Sequence, residues 1–372
     1  MKKLTILHTI ETAGPGGAET VVLNLASRLD SDRFQSIALL PREDWLSERL
    51  RECGVLTFIV NSKAWYDFRL PVAMARLIRR EHVDLVHSHL PGQNFYSCAV
   101  GRLVGCKVIA TYHGAIELTQ TKGLRGAIQL GYVRRSADSV VVVCDYVGAM
   151  LQGIGFPASK IVRIYNGIDV DRFQIRGDGR LKEQLGLSNG TKIVGTVANL
   201  RQSKGYQFFV EAARKVIDAK PDVRFVAVGD IDPVLAKPVK ELIARLDLQD
   251  HFVLLGFRRD VPELLSEFDV FVLPSVSEGF PLVALEAMAS ARPSVLTRSG
   301  GPQEIVDDGL TGYLVPPADS NALADKICEF LDNPDHAVVC ARNARAKVQN
   351  TFAMDKMIQH YEQLYERIAT KA

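Results

Sequence analysis

The chain has 372 residues, of which 47% are hydrophobic and 24% are charged, so disordered, collagen-like and coiled-coil proteins are excluded. This length exceeds what one hydrophobic core usually serves, which predicts two domains. The 45 Lys and Arg residues nearly balance the 43 Asp and Glu residues, and a net charge of +2 excludes a general nucleic-acid-binding protein.

The N-terminal apolar segment is short and interrupted by polar residues, which predicts a buried strand and not an export signal. No segment approaches the roughly 20 apolar residues that span a bilayer. The cysteines form no CxxC pair, and most lie in apolar surroundings, which predicts reduced core thiols in a cytoplasmic protein. They stand at positions 53, 98, 106, 144, 328 and 340.

In the first half of the chain, short runs rich in Val, Ile and Leu alternate with helical patterns such as 19–29 and 70–80. Continuous apolar runs are typical of strands buried on both faces of a parallel sheet. The predicted strands are 4–8, 36–40, 56–60, 85–87, 107–111, 139–143 and 161–164. The alternation predicts a doubly wound α/β domain.

After a polar stretch at 174–190 the same pattern begins again. The second series of predicted strands is 193–197, 224–228, 252–255, 270–273 and 294–296. We therefore predict two domains, 1–170 and 171–353, that face each other across a cleft, followed by a C-terminal helical segment at 354–372. Ligands of such sheets bind beyond the carboxyl ends of the strands.

A glycine-rich loop that contains Gly16 and Gly17 follows the first strand and precedes a helix. Glycines let a ligand approach the backbone, and a helix start offers free N–H groups to an anion. The loop lacks the third glycine of GxGxxG, which disfavours a dinucleotide site. A tight turn without a ligand is the alternative interpretation.

The segment from Pro274 to Glu286 follows the predicted strand 270–273 and is the densest signal in the chain. Gly279 allows a turn there, and Pro281 is predicted as the first helical residue, so that the helix start suits a diphosphate. Glu278 and Glu286 can accept hydrogen bonds from sugar or ribose hydroxyls. Solvated glutamates are the alternative, although burial of Glu286 among apolar residues without a partner would be costly.

Basic residues and a histidine follow two further predicted strands. Arg201 and Lys204 can clamp phosphates, unless they belong to an ordinary basic loop. His113 can donate to a hydroxyl or a phosphate, or can be structural. We interpret His87 and His89 as structural, because no other ligands of suitable spacing accompany them, and we expect no metal site.

Residues 118–136 contain four basic residues, among them Lys122, and no acidic one, with apolar residues at helical spacing. Such a helix suits an anionic membrane surface and a lipid-linked acceptor. A solvated helix packed on its own domain is the alternative.

These motifs resemble those of the family 4 retaining glycosyltransferases, which have the GT-B fold of two Rossmann-like domains. The likeness covers nearly the whole chain. It includes the glycine loop, His113, the junction at 166–169, the Arg201 and Lys204 loop, the two glutamates, and the segments 299–304 and 308–312.

The resemblance implies metal-independent transfer of a sugar, with retention, from a nucleotide-diphosphate sugar, with UDP- and GDP-sugars the first candidates and no cofactor. It implies catalytic roles for His113, Glu278, Arg201 and Lys204. It implies donor binding by Gly16, Gly17, Gly279, Phe280, Pro281, Leu282, Val283 and Glu286. The N-terminal domain would bind the acceptor, the C-terminal domain the donor, and the last helix would cross back to the first domain.

One position departs from the family pattern, since many members carry Arg five residues before the lysine, where this chain has Asn199. Arg201 would have to take its place. A sugar-nucleotide epimerase of similar fold and a non-catalytic nucleotide-sugar-binding protein are the alternative functions. The base, the sugar, the acceptor and the oligomeric state are left open by the sequence.

Overall fold

The computed structural model describes residues 3–61, 68–114 and 123–370. The chain forms two compact units. The first comprises residues 1–166 and 355–372, and the second comprises residues 167–354.

The first unit contains a seven-stranded parallel sheet in the order β3-β2-β1-β4-β5-β6-β7. Its strands are β1 (Leu4–Ile10), β2 (Phe34–Leu40), β3 (Leu56–Ile59), β4 (Leu85–His89), β5 (Lys107–Tyr112), β6 (Ser139–Val142) and β7 (Ile161–Arg163). Its helices include α1 (Gly17–Arg28), α2 (Trp45–Glu52), α3 (Arg69–Arg80), α4 (Pro91–Val104), α5 (Leu124–Ser136) and α6 (Asp145–Gly153).

The second unit contains a six-stranded parallel sheet in the order β10-β9-β8-β11-β12-β13. Its strands are β8 (Lys192–Val197), β9 (Val223–Val228), β10 (Phe252–Gly256), β11 (Val270–Leu273), β12 (Ser294–Thr297) and β13 (Tyr313–Val315). Its helices are α7 (Arg180–Gln184), α8 (Tyr206–Ala219), α9 (Pro233–Arg245), α10 (Val261–Glu267), α11 (Leu282–Ala289), α12 (Pro302–Ile305), α13 (Ser320–Asp332) and α14 (Pro334–Thr351).

The order of strands reverses between β1 and β4 in the first sheet, and between β8 and β11 in the second. Loops on either side of such a reversal leave the sheet in opposite directions and open a crevice at the carboxyl ends of the strands. The predicted site residues follow these strands or their neighbour β5, so the topology places them where parallel sheets bind ligands.

The last helix, α15 (Met354–Thr370), packs on the first sheet through residues that belong to that unit. Glu362 accepts hydrogen bonds from the Asp30 N–H and from Arg33, each at 2.8 Å, and Arg33 also pairs with Glu366. Tyr361 and Tyr365 are fully buried. The helix is therefore an integral layer of the first unit.

The apolar runs predicted all twelve of the strands β1 to β12 to within two residues at either end. Strand β13 was missed, because Pro316 and Pro317 follow it directly and mark the segment as a loop. All six cysteines are free thiols, and Cys53 is exposed although core positions were predicted for them. Within the described residues, no helix has the length and hydropathy needed to cross a membrane.

Gly195, in the middle of β8, leaves room for a core ring. A Cβ atom at this position would lie 2.1 Å from the Phe268 ring. We expect Gly195→Ala to lower the free energy of unfolding of the second unit by about 1–3 kcal/mol, because the buried ring must move. Urea denaturation measures this. Gly190→Ala is the matched control, since only Ser188 comes within 4 Å of a Cβ there, at 3.9 Å. Equal stability of the two variants would contradict the packing argument.

Candidate active site

The most tightly connected charged group of the second unit joins the loops after β8 and β11. The Lys204 Nζ donates to Glu278 Oε1 at 2.6 Å, and the Ser275 Oγ donates to the same oxygen at 2.6 Å. The Glu278 residue is only 8% exposed, and Ser275 is fully buried. The structure therefore brings together two of the predicted catalytic residues, 74 positions apart, and adds Ser275, which the sequence did not single out.

Backbone contacts between the two loops hold this cluster in place. The Val276 N–H donates to the Ser203 carbonyl at 2.8 Å. Gly205 has a φ of +64°, and a Cβ there would lie 2.0 Å from the Pro274 carbonyl oxygen. A glycine is therefore required next to Lys204 for the loops to approach this closely.

The loop after β12 closes the other side of the cluster. The Glu278 N–H donates to the Ser299 carbonyl at 2.9 Å. A Cβ at Gly301 would lie 1.5 Å from the Gly279 carbonyl oxygen. Three loops thus pack with their backbones in contact, which leaves the Glu278 side chain little freedom.

Helix α11 begins directly after the loop that follows β11 and carries Glu278. Its first residue is Leu282, and Pro281 is the N-cap residue, so the prediction of Pro281 as the first helical residue is wrong by one position. An extended ψ of 112° keeps Pro281 outside the helix. The buried Phe280 ring packs edge-on against Phe352. Among the described residues, none accepts a hydrogen bond from the N–H groups of Leu282 and Val283, which can therefore bind an anion.

Glu286 lies one turn further along α11, and its carboxylate has no hydrogen-bond partner in the described part of the chain. Burial raises the pKa of Glu286 from 4.5 to about 7, and the charge of Arg172 acts in the opposite direction. The residue is half-buried and keeps some exposure, so a ligand hydroxyl can reach its carboxylate. Arg172, which lies in a short 3-10 helix before the second sheet, was not predicted as a neighbour.

Arg201 does not join the ion pair. It is exposed, and no described carboxylate lies within ion-pair distance of its guanidinium. Its carbonyl accepts the Lys204 N–H at 3.0 Å. The predicted clamp is thus a lysine engaged by Glu278 and an arginine free to reach a ligand.

In the first unit, Gly16 is the N-cap residue of α1, and Gly17 is its first residue. A Cβ on Gly16 would lie 2.4 Å from Glu19 Oε2, and Glu19 is itself buried. A carboxylate therefore already lies beside the helix start that was predicted to bind phosphate.

His113 follows β5, and its Nε2 lies 2.9 Å from His89 Nδ1. Burial lowers the pKa of His113 to about 4, so the ring is neutral near pH 7. A neutral imidazole can donate one hydrogen bond and accept one, but it brings no positive charge to a phosphate.

A layer of buried histidines lies behind His113. The ligand atoms of His8, His87 and His89 lie within 4.8 Å of one another, and all three rings are fully buried. His87 hydrogen-bonds through Nδ1 to the Tyr365 hydroxyl at 2.6 Å and through Nε2 to the Thr111 hydroxyl at 2.7 Å. A metal ion would have to displace one of these two bonds, so the bonding fits our interpretation of His87 as structural.

Two family models match the chain. The model described as Glycosyltransferase Family 4 matches residues 15–172, and the model described as Glycosyl transferases group 1 matches residues 178–347. The N-acetyl-alpha-D-glucosaminyl L-malate synthase of Bacillus anthracis is 30% identical over 81% of this chain and 79% of its own. The chain belongs to the group 1, family 4 glycosyltransferases.

Two further proteins extend the comparison over nearly the whole length of this glycosyltransferase. The Escherichia coli UDP-Gal:alpha-D-GlcNAc-diphosphoundecaprenol alpha-1,3-galactosyltransferase is 28% identical over 98% of this chain and 97% of its own. The crystal structure of Anabaena HepE with UDP-glucose is 22% identical, covers 98% of this chain and 100% of its own, and superposes with a TM-score of 0.90. The two parallel-sheet α/β units are those of the GT-B fold, as predicted.

The raised pKa of Glu286 gives a pH signature. The folded state holds the proton more tightly than the unfolded chain, so wild type loses stability as the pH rises from 4.5 towards about 7. Glu286→Gln does not titrate, and its melting temperature should rise above that of wild type as the pH increases from about 5 to about 8. Glu263→Gln, on the exposed face of α10, is the control for loss of a carboxylate. A difference between Glu286→Gln and wild type that is constant with pH would contradict the burial argument.

Proposed function

We propose that this glycosyltransferase moves a sugar from a nucleotide-diphosphate sugar to an acceptor hydroxyl in glycan synthesis, with retention at the anomeric carbon and without a metal ion. The observation that carries the proposal is the Lys204–Glu278–Ser275 cluster next to the free N–H groups of Leu282 and Val283. Cation, hydrogen-bond acceptor and helix start are thus brought together by two loops of the second unit, which is therefore proposed as the donor-binding unit.

Each group has a role in this reaction. When the glycosidic bond breaks, the diphosphate gains negative charge, which Lys204, Arg201 and the helix start stabilise electrostatically. Lysine and arginine supply the positive charge that a divalent metal ion supplies elsewhere. Glu278 accepts hydrogen bonds from hydroxyls of the donor sugar, and Glu286 accepts those of the ribose, which satisfies its unpartnered carboxylate.

Retention is proposed because the chain resembles the retaining family 4 enzymes, and the state of Glu278 disfavours a route through a covalent intermediate. A carboxylate oxygen that already accepts bonds from an ammonium group and a hydroxyl is a poor nucleophile. The acceptor then attacks on the face from which the diphosphate leaves, and a leaving-group oxygen takes its proton. Within the first unit, His113 and the Gly16–Gly17 loop are proposed to contact the donor, and this unit binds the acceptor.

The donor can be found by measuring which nucleotide stabilises the protein, because a ligand of the folded state raises its melting temperature. UDP, GDP and ADP and their glucose conjugates are the probes, and UDP is expected to act because the E. coli relative is named for UDP-Gal. Lys204→Ala should weaken binding of the stabilising diphosphate by about 10–100-fold, since a charge-assisted contact is lost. Calorimetric titration measures this.

Lys192→Ala is the matched control. Lys192 is the first residue of β8 and pairs with Asp269, whereas Lys204 lies in the loop at the other end of this strand. It should bind the diphosphate as wild type does. Wild-type affinity in Lys204→Ala would remove this residue from the donor site. Loss of turnover on addition of a chelator would contradict the metal-free mechanism.

The acceptor is proposed to be lipid-linked or saccharide, at the cytoplasmic face of a membrane. The E. coli relative is named for a diphosphoundecaprenol acceptor. In this chain, Leu103, Leu124 and Ile128 are 79%, 81% and 59% exposed on α4 and α5. Residues 118–122 of the predicted basic segment, among them Lys122, lie outside the described residues.

A groove of about 630 Å³ has Ile128 in its lining. It is lined by Arg102, Arg134 and Arg135 and by no acidic residue, and none of the three pairs with a carboxylate among the described residues. Unpaired cations beside exposed apolar side chains suit an anionic lipid surface.

Vesicles test this surface. Wild type should co-sediment with vesicles of phosphatidylglycerol at low salt, and less at high salt, because the attraction is electrostatic. The double variant Arg134→Ser/Arg135→Ser should bind several-fold less. Arg76→Ser/Arg79→Ser, which removes the same charge from an exposed face of α3, should bind as wild type does. Equal sedimentation of both variants would contradict the assignment.

A further inference from the structure

His89 and His113 form a hydrogen bond whose direction can be deduced from the surroundings of His89. The bond joins His89 Nδ1 to His113 Nε2 at 2.9 Å, and the two rings stack with centroids 5.2 Å apart. Both rings are neutral near pH 7, because burial lowers the pKa of His89 well below its usual value and that of His113 to about 4. One nitrogen of the pair must therefore donate, and the other must accept.

The second nitrogen of His89 identifies the donor. His89 Nε2 is buried and has no hydrogen-bond partner in the described part of the chain. A proton on Nε2 would leave a buried N–H group without an acceptor, which is costly and rare in proteins. With the proton on Nδ1 instead, His89 donates to His113, and only a lone pair is left unsatisfied.

We infer that His89 is a positioning residue that fixes His113 in the tautomer protonated at Nδ1. His113 Nε2 accepts the proton of His89, so its own proton must lie on Nδ1. The ring then carries one uncharged N–H donor, at Nδ1. A catalytic His113 would therefore act as a hydrogen-bond donor and not as a cation. This consequence for catalysis rests on the proposed role of His113, whereas the tautomer does not.

The histidine layer keeps His89 in this orientation. Its ring packs on that of His87, with centroids 4.2 Å apart. His87 in turn is held between the Thr111 hydroxyl on β5 and the Tyr365 hydroxyl on α15. The ring that sets the tautomer of His113 is therefore fixed by contacts within the core of the first unit.

Nitrogen-15 NMR of histidine-labelled full-length protein tests the tautomer directly, with the His113 signals assigned from the His113→Asn variant. We expect a neutral His113 protonated at Nδ1 in wild type. In His89→Leu, which has no donor, His113 should become a mixture of tautomers. His89→Asn should restore the Nδ1-protonated form, because the amide nitrogen of asparagine takes the place of His89 Nδ1. A wild-type His113 protonated at Nε2, or no change in His89→Leu, would overturn the inference.

Turnover measures the consequence for catalysis. The substrate is whichever of UDP-, GDP- and ADP-glucose raises the melting temperature most, and release of its nucleoside diphosphate is followed. His89→Leu should lower kcat about tenfold with a smaller effect on KM, and His89→Asn should recover most of it. Tyr313→Phe removes a hydroxyl that bonds Glu329 and His336 in the second unit, outside the histidine layer, and should lower the melting temperature while kcat is kept.

These results separate the two proposals. Full activity of His113→Asn would refute the proposed role of His113, and the NMR spectra would still decide its tautomer. If His89→Leu is too unstable to measure, the spectra of wild type and His89→Asn decide it. Equal losses of kcat in Tyr313→Phe and His89→Leu would reduce His89 to a residue that acts through stability alone.

Discussion

The partly buried ion pair between Lys204 and Glu278 is the interaction on which the candidate active site depends. A lysine and a glutamate with little exposure are stable only when their charges compensate and their remaining hydrogen bonds are met, which Ser275 does for one carboxylate oxygen. The pair also requires the backbones of three loops to touch. Side chains at Gly205 and Gly301 would prevent this, so the lack of a side chain at two glycines is a condition of the ion pair.

The two units differ in the charge state of their candidate site residues. In the second unit, Lys204, Glu278 and the start of α11 lie in one region. A polyanion that binds there meets groups that are already charged. In the first unit, burial keeps His8, His87, His89 and His113 neutral, so they act through hydrogen bonds alone. In the proposed reaction, stabilisation of a departing diphosphate therefore falls to the second unit, and orientation through hydrogen bonds falls to His113.

Helix α15 ties the histidine layer to the end of the chain. Tyr365 binds His87 in the core, and Glu362 binds Arg33 at the surface, so the helix contacts the first sheet at two levels. A segment that is distant in sequence thus determines the packing behind His113. This explains why the C-terminal helix belongs to the first unit although the chain reaches it from the second.

The sequence by itself predicted two doubly wound domains and twelve of the thirteen described strands, because buried parallel strands leave local patterns, and its resemblance to the family 4 glycosyltransferases predicted the GT-B fold. It also indicated that Glu286 needs a partner, since its neighbours are apolar. Only the tertiary structure decided that Lys204 pairs with Glu278 while Arg201 remains free. The same holds for the bond of Ser275 to this pair and for the place of His8 and Tyr365 beside His87. Contacts between residues far apart in the chain depend on how the strands and helices pack, and no local pattern encodes that.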